Sequence, residues 1–140
     1  MSSRYLPFIG RVLLGLPFAM SGLSKLAAYG PTTAMIAAAG LPIPPLAFAV
    51  AVAVELGGGL LLVLGYHVRP AALALAVFSV ATAVSFHNNF ADQNQMFHFL
   101  KDVMIAGGLF QIVAFGAGAI SIEQWRRKSG TPSAAEATTA

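Results

Sequence analysis

Four stretches of this chain, roughly 5–24, 46–65, 70–90 and 97–120, are each apolar over about 20 residues, the length of helix that crosses a bilayer's hydrocarbon core. Inside that core no water is available to backbone N–H and C=O groups, so a spanning segment must satisfy them within itself or within a closed barrel. Runs this long and this uniformly apolar are helical, because a barrel strand alternates its side chains over about ten residues. The predicted fold class is therefore all-α, a polytopic membrane protein built as an antiparallel four-transmembrane-helix bundle in one domain. Composition agrees. The 140 residues are 57% hydrophobic and 9% charged, whereas soluble domains carry about a quarter charged residues. Mean hydropathy is +0.76. No cysteine is present, which excludes disulfides, thiolate metal sites and thiol redox chemistry of the chain's own.

The links between the spans set their order in space. Residues 30–45, GPTTAMIAAAGLPIPP, are too rich in proline and glycine to continue a span, although Thr32–Ala39 is able to form a short helix at the interface. The link YHVR is short enough to make an antiparallel hairpin of the second and third spans, and Pro70 suits the first turn of a helix. Arg4 ahead of Val12–Met20 has the order of a signal peptide, but Arg11 interrupts the apolar run and no convincing cleavage site precedes Lys25. The first segment is expected to remain as a helix. Residues 123–140 are expected to be a cytoplasmic, disordered tail, its last dozen residues small and polar.

With four spans, Arg4, Arg69, Arg126, Arg127 and Lys128 fall on one side, opposite Lys25 and Asp92. Basic loops face the cytoplasm, so both termini are expected there. The formal charge of +3 is thus a weak argument for nucleic acid and a good one for orientation, and no nucleic-acid partner is expected. Tyr5, Tyr66 and Trp125 fit one interfacial aromatic belt, and Tyr29, Phe90 and Phe97 the other.

Glu55 sits near the middle of the second span, where an aspartate, lysine or arginine costs about 2.5–3.5 kcal/mol on insertion scales. A charge there is expected to face the bundle interior. Helical spacing supports this: Ala51, Glu55 and Gly59 share a face, as do Arg11, Gly15, Phe18, Gly22 and Lys25 on the first span. Small residues on those faces let neighbouring helices approach closely. Arg11 or Lys101 is the expected partner of Glu55, with Lys25 also available. Ser79, Thr82 and Ser85 make a polar stripe on the third span, and FHNNF and HFLKD gather further polar groups at the ends of the third and fourth. The resulting candidate ligand-binding or buried polar cluster is Arg11, Lys25, Glu55, His87, Asn88, His98, Lys101 and Asp102. No catalytic role is assigned. Each member has a plainer reading: a register-setting ion pair for Glu55, interface anchoring for Lys25 and Asp102, helix capping for Asn88. His87 and His98 match no metal-ligand spacing, so no metal is expected. Gly57, Gly58 and Gly59 lack the lysine of a phosphate loop and read as packing glycines.

The pieces GRVLLGLPFAMSGLSKL (10–26), GLPIPPLA (40–47), VELGGGLLLVLGYHVRPAALAL (54–75) and HFLKDVMIAGGLFQI (98–112) follow one another in an order that resembles the DoxX family of small bacterial four-helix membrane proteins. By that resemblance Arg11, Lys25, Glu55, Arg69, Lys101 and Asp102 stand at the family's polar positions, Asp102 where asparagine is often found. The resemblance implies a bacterial inner-membrane location and an association with membrane oxidoreductases, since family members are subunits associated with a terminal oxidase and a thiosulfate:quinone oxidoreductase. The expected function is an accessory or small-ligand-binding component of a membrane redox system, with a quinone head group or another small polar molecule as the candidate ligand and no other cofactor. Deep, facing histidines for haem and any dinucleotide motif are lacking, so a self-sufficient redox enzyme is not expected. Expected partners are the lipid bilayer, redox-enzyme subunits and a second copy of the chain, the last through small-residue faces that include Ala72, Ala76 and Ala83. The alternatives are a small oligomeric transporter or channel, and a structural or assembly protein without a ligand.

Overall fold

The computed structural model describes residues 3–130, which form helices and no strands. Four helices are long and apolar enough to cross a membrane: Leu6–Ala27, Pro44–Leu64, Val68–Phe86 and Gln93–Phe115. The first is α1. A short helix, α2 (Tyr29–Ala38), follows it, close to the interfacial helix expected at Thr32–Ala39. The second span is not uniform: α3 (Pro44–Val52) passes through one π-helical turn (Ala53–Gly57) into α4 (Gly58–Leu64). The remaining spans are α5 (Val68–Phe86) and α6 (Gln93–Phe115).

Local chemistry explains the boundaries. Pro44 and Pro45 open α3 where their missing N–H groups cost nothing. Gly65 closes α4 with φ +72°, and its N–H and that of Tyr66 return to the carbonyls of the last turn. The third span stops at Phe86, before the expected residue 90, because His87 leaves helical geometry. The fourth starts earlier than expected because the Asp92 side chain accepts the Asn94 N–H at 2.9 Å, a true N-cap. Gly116, with φ +80°, ends it at Phe115.

One expectation is corrected at the C-terminal end. Residues 123–130, assigned to a disordered tail, belong to a helix, α7 (Ile122–Gly130). Ser121 Oγ accepts the Gln124 N–H at 3.2 Å as its N-cap, and Glu123 is engaged twice. Its backbone N–H donates to Gly65 O at 3.1 Å, and its carboxylate accepts the Val68 N–H at 3.1 Å, capping α5 from another helix. Residues 131–140 of that tail lie outside the described residues.

The spans alternate in direction, so the start of α1, the α4–α5 turn and α7 meet at one end of the bundle, here the terminal end. Lys25, α2 and the α5–α6 turn lie at the other, distal end. Packing differs between the two. In the terminal half Leu62, Val68, Ala72, Leu75, Ala76 and Leu109 form a closed core, each fully buried. Ala72, Ala76 and Ala83, expected to offer a face to a second copy, are fully buried within the single chain and are not free to do so. Large apolar side chains such as Leu13, Met20, Val77, Met104 and Phe115 are exposed, as lipid-facing residues should be.

Close helix approach is built from glycine. A Cβ placed on Gly59 would stand 2.6 Å from Ala19 N and from Gly15 O, and one on Gly22 would stand 2.7 Å from Leu56 N. Backbone therefore touches backbone between α1 and the second span. Van der Waals contact of this kind, rather than burial from water, is what holds helices together in lipid.

Candidate functional site

In the distal half the bundle is open. A cavity of about 730 Å³ lies between α1, α2 and α3 on one side and α5 and α6 on the other. Much of its wall is apolar, including Phe18, Ile36, Val50, Phe78 and Ile105. Glu55 reaches into it from the π-helical turn. A π turn carries one extra residue and redirects the side chains that follow; such turns occur often at functional sites. Here the consecutive glycines serve two neighbours. Gly58 faces Leu75 on α5 and Gly59 faces α1, leaving Glu55 aimed into the open space above the core.

Glu55 is 5% exposed. Its partner is Lys25, with Nζ 2.7 Å from Oε2. Ser21 completes the unit: Lys25 Nζ donates to Ser21 Oγ at 3.0 Å, and Ser21 donates to Glu55 Oε1 at 3.0 Å. Lys25 thus bridges Oε2 and Ser21, and both carboxylate oxygens have a protein partner. The expected pairing of Glu55 with Arg11 or Lys101 is thus corrected. Arg11 finds carbonyl oxygens closer to hand. It donates to Leu62 O at 2.5 Å, Val63 O at 3.3 Å and Ile120 O, all at the terminal end and away from the cavity. Lys101 stays at the distal rim, more than half exposed, with Asp102 Oδ1 at 3.8 Å and His98 Nδ1 at 3.3 Å.

A second polar group stands on the opposite wall. Asp102 and His87 both line the cavity, His87 Nε2 lying 4.0 Å from Asp102 Oδ2. Burial lowers the His87 pKa below the usual histidine value; Asp102 opposes this, while His98 and Lys101 reinforce it. His87 is therefore neutral at pH 7. His98 stacks on its ring at 5.0 Å between centroids and sits at the mouth without lining the cavity. Asn88 is exposed and donates to Val84 O at 3.1 Å, the capping role that is its ordinary use.

The cavity thus gathers Lys25, Glu55, His87, Lys101 and Asp102 from the residues expected, and leaves out Arg11, Asn88 and His98. It adds Ser21, Thr32, Ser79, Thr82 and Ser85. Ser79, Thr82 and Ser85 were visible as a polar stripe. Ser21 was missed, though it lies four residues before Lys25, the spacing at which two helical side chains meet.

The Lys25–Glu55 contact has a measurable consequence. Lys25→Met strips the counter-ion from a buried carboxylate and should cost about 1–3 kcal/mol, less than a fully dry pair because Lys25 keeps a quarter of its exposure. Adding Glu55→Gln to Lys25→Met should restore most of that loss. Denaturant titration in detergent micelles measures both, and an unchanged midpoint for Lys25→Met would contradict the pairing.

Comparison with known proteins agrees with this architecture. The DoxX family model matches residues 6–88. Inner membrane protein YqjF of Escherichia coli is 32% identical over 120 residues, covering 86% of this chain and 91% of its own length. Inner membrane protein YphA of the same organism is 33% identical over 121 residues, covering 83% of this chain and 86% of its own. No solved structure matches the chain.

Proposed function

The chain belongs to the DoxX family of integral membrane proteins, and from that premise we propose that it is an inner-membrane component of a redox system whose distal cavity binds a small amphiphilic ligand of the quinone class. The observation that carries this reading is the position of Glu55: a buried carboxylate, held by Lys25 and Ser21, opening onto a largely apolar cavity. The cavity's volume of about 730 Å³ falls in the range that holds small molecules, roughly 300–1,000 Å³. Its titratable groups are few and stand at two places, Lys25–Glu55 and His87–Asp102 with Lys101. A ring with oxygens at opposite edges and an apolar tail has matching chemistry. Charges within the cavity are balanced, two lysines against two carboxylates, which favours a neutral ligand arriving from lipid.

The names of the two Escherichia coli relatives support an inner-membrane location. Both ends of the chain on the cytoplasmic side is the orientation favoured by Arg4, Arg69 and Arg126 at the terminal end, where no acidic residue but Glu123 is described. The distal lysines stand beside carboxylates. A redox-enzyme partner would then receive or deliver the ligand through the distal opening.

The test is lipid extraction of protein purified from native membranes. Isoprenoid quinones should be enriched over bulk lipid in the wild type, and the enrichment should fall about tenfold in Glu55→Gln at equal yield and helicity, the loss expected for one hydrogen bond to a charged group. Absence of enrichment in the wild type overturns the reading. Solute uptake by proteoliposomes that depends on Glu55 would instead favour transport.

A further inference from the structure

Two buried hydroxyls on the cavity wall have no use within the protein. Ser79 on α5 is 3% exposed and Thr32 on α2 is 7% exposed, and both line the cavity. Neither side chain has a hydrogen-bond partner among the described residues. A helical serine or threonine ordinarily returns its hydroxyl to a carbonyl three or four residues back. Thr33 does so with Tyr29 O at 2.9 Å and Gly30 O at 3.0 Å, and Thr82 with Ser79 O at 2.9 Å. Ser79 and Thr32 do not. The other cavity hydroxyls differ: Ser21 donates to Glu55, and Ser85 is only half-buried. A buried hydroxyl without a partner is costly, so two of them on one cavity mark what its occupant supplies.

Helix register places the first of them. Leu75 on α5 meets Gly58 on the second span. The two helices run antiparallel, so one turn further from the core α5 presents Ser79 where the π-helical turn presents Glu55. Ser79 thus stands at the level of Glu55, on the cavity floor above the buried Leu75 and Ala76. Thr32 comes from α2, whose buried residues are Thr32 and Ile36, four apart on one face. Resting on the proposed quinone-class reading, we propose that Ser79 and Thr32 are ligand-binding residues, each hydroxyl bonding an oxygen of the ligand, with Ser79 taking the oxygen beside Glu55. A hydroxyl donates to a carbonyl and accepts from another hydroxyl, so the pair recognises an oxygen-bearing ring in either oxidation state. An apolar molecule of the same shape leaves both hydroxyls unmet and is rejected on that ground. The site then has two neutral contacts in addition to the charged one at Glu55.

The test uses a decyl-substituted benzoquinone as probe and decylbenzene as its apolar counterpart. Equilibrium retention by the purified full chain in lipid nanodiscs is measured per folded protein. Ser79→Ala and Thr32→Val each remove one hydroxyl and should lower benzoquinone retention about 3- to 10-fold, the range for one neutral hydrogen bond. Decylbenzene retention should stay within about twofold in both variants, as should benzoquinone retention by Thr33→Val, whose hydroxyl lies outside the cavity. Ligand-free denaturation midpoints should be unchanged or higher in Ser79→Ala and Thr32→Val, because each change removes an unmet buried group. Lowered midpoints in both would show hydroxyls bonded within the protein and overturn the inference. Benzoquinone retention within about twofold of wild type in both variants also overturns it, and leaves the proposed ligand class intact. Absence of benzoquinone retention by the wild type overturns the proposed function, and the inference with it.

Discussion

Replacing Arg11 with methionine should destabilise the bundle by about 3–5 kcal/mol while leaving ligand retention by the folded fraction unchanged. Arg11 is 1% exposed, and its guanidinium binds the carbonyls of Leu62 and Val63 at the end of α4 and of Ile120 in the turn before α7. The last carbonyls of a helix have no partner within it. In lipid each unmet group costs several kcal/mol, and a cation at a helix C-terminus also meets the favourable end of its dipole. Methionine keeps the apolar stem and removes every donor. Arg11→Lys should recover part of the loss, since an ammonium lacks the planar fork that reaches separate carbonyls together. Denaturant midpoints in detergent measure the series. A midpoint for Arg11→Met within about 1 kcal/mol of wild type would contradict the clamp, and lost retention in a folded Arg11→Met protein would return Arg11 to the binding cluster.

The second large effect belongs to Gly59. A methyl group there has Ala19 N and Gly15 O within 2.6 Å, and both are backbone atoms that no side-chain rotation can move. Gly59→Ala must push α1 away from α4, at a cost of about 2–3 kcal/mol, the upper part of the range for overpacking. The displacement acts one turn from Glu55, so the Lys25–Glu55 contact should loosen as well. Gly107→Ala is the matched control. Its methyl group would meet nothing within 4 Å, and the change should be neutral or stabilising by up to about 1 kcal/mol from helix propensity. Equal midpoints for the two variants would show that the α1–α4 approach is not as close as described.

These two positions were legible in the sequence to different degrees. The glycine faces of the first and second spans followed from helical spacing, since positions three and four apart share a side whatever lies opposite. Arg11 was likewise expected to point inward, and it does. Its partner was misjudged because spacing along one helix says nothing about which acceptor on another is nearest. Carbonyls at the end of α4 are invisible in a side-chain pattern, yet they are closer to Arg11 than any carboxylate. The same limit explains Lys101, the other candidate partner of Glu55, which instead stays with Asp102 and His98 at the rim. Ala72, Ala76 and Ala83 show the converse error: a stripe of small residues signals close approach, but whether the approaching helix belongs to the same chain is a tertiary fact.

By itself the sequence determined the class of fold and its connectivity, because a bilayer leaves an apolar run of this length no alternative to a helix, and successive helices that each cross it must alternate in direction. It also determined that Glu55 turns inward, since lipid cannot solvate a carboxylate. Only the tertiary structure decided which cation meets it, where the packing ends and the cavity begins, and that a π turn aims the carboxylate into that space. Those outcomes depend on distances between helices, set by a few glycine contacts and by the one extra residue in the turn. Such distances are properties of pairs of helices, and a pattern read along one helix at a time does not contain them.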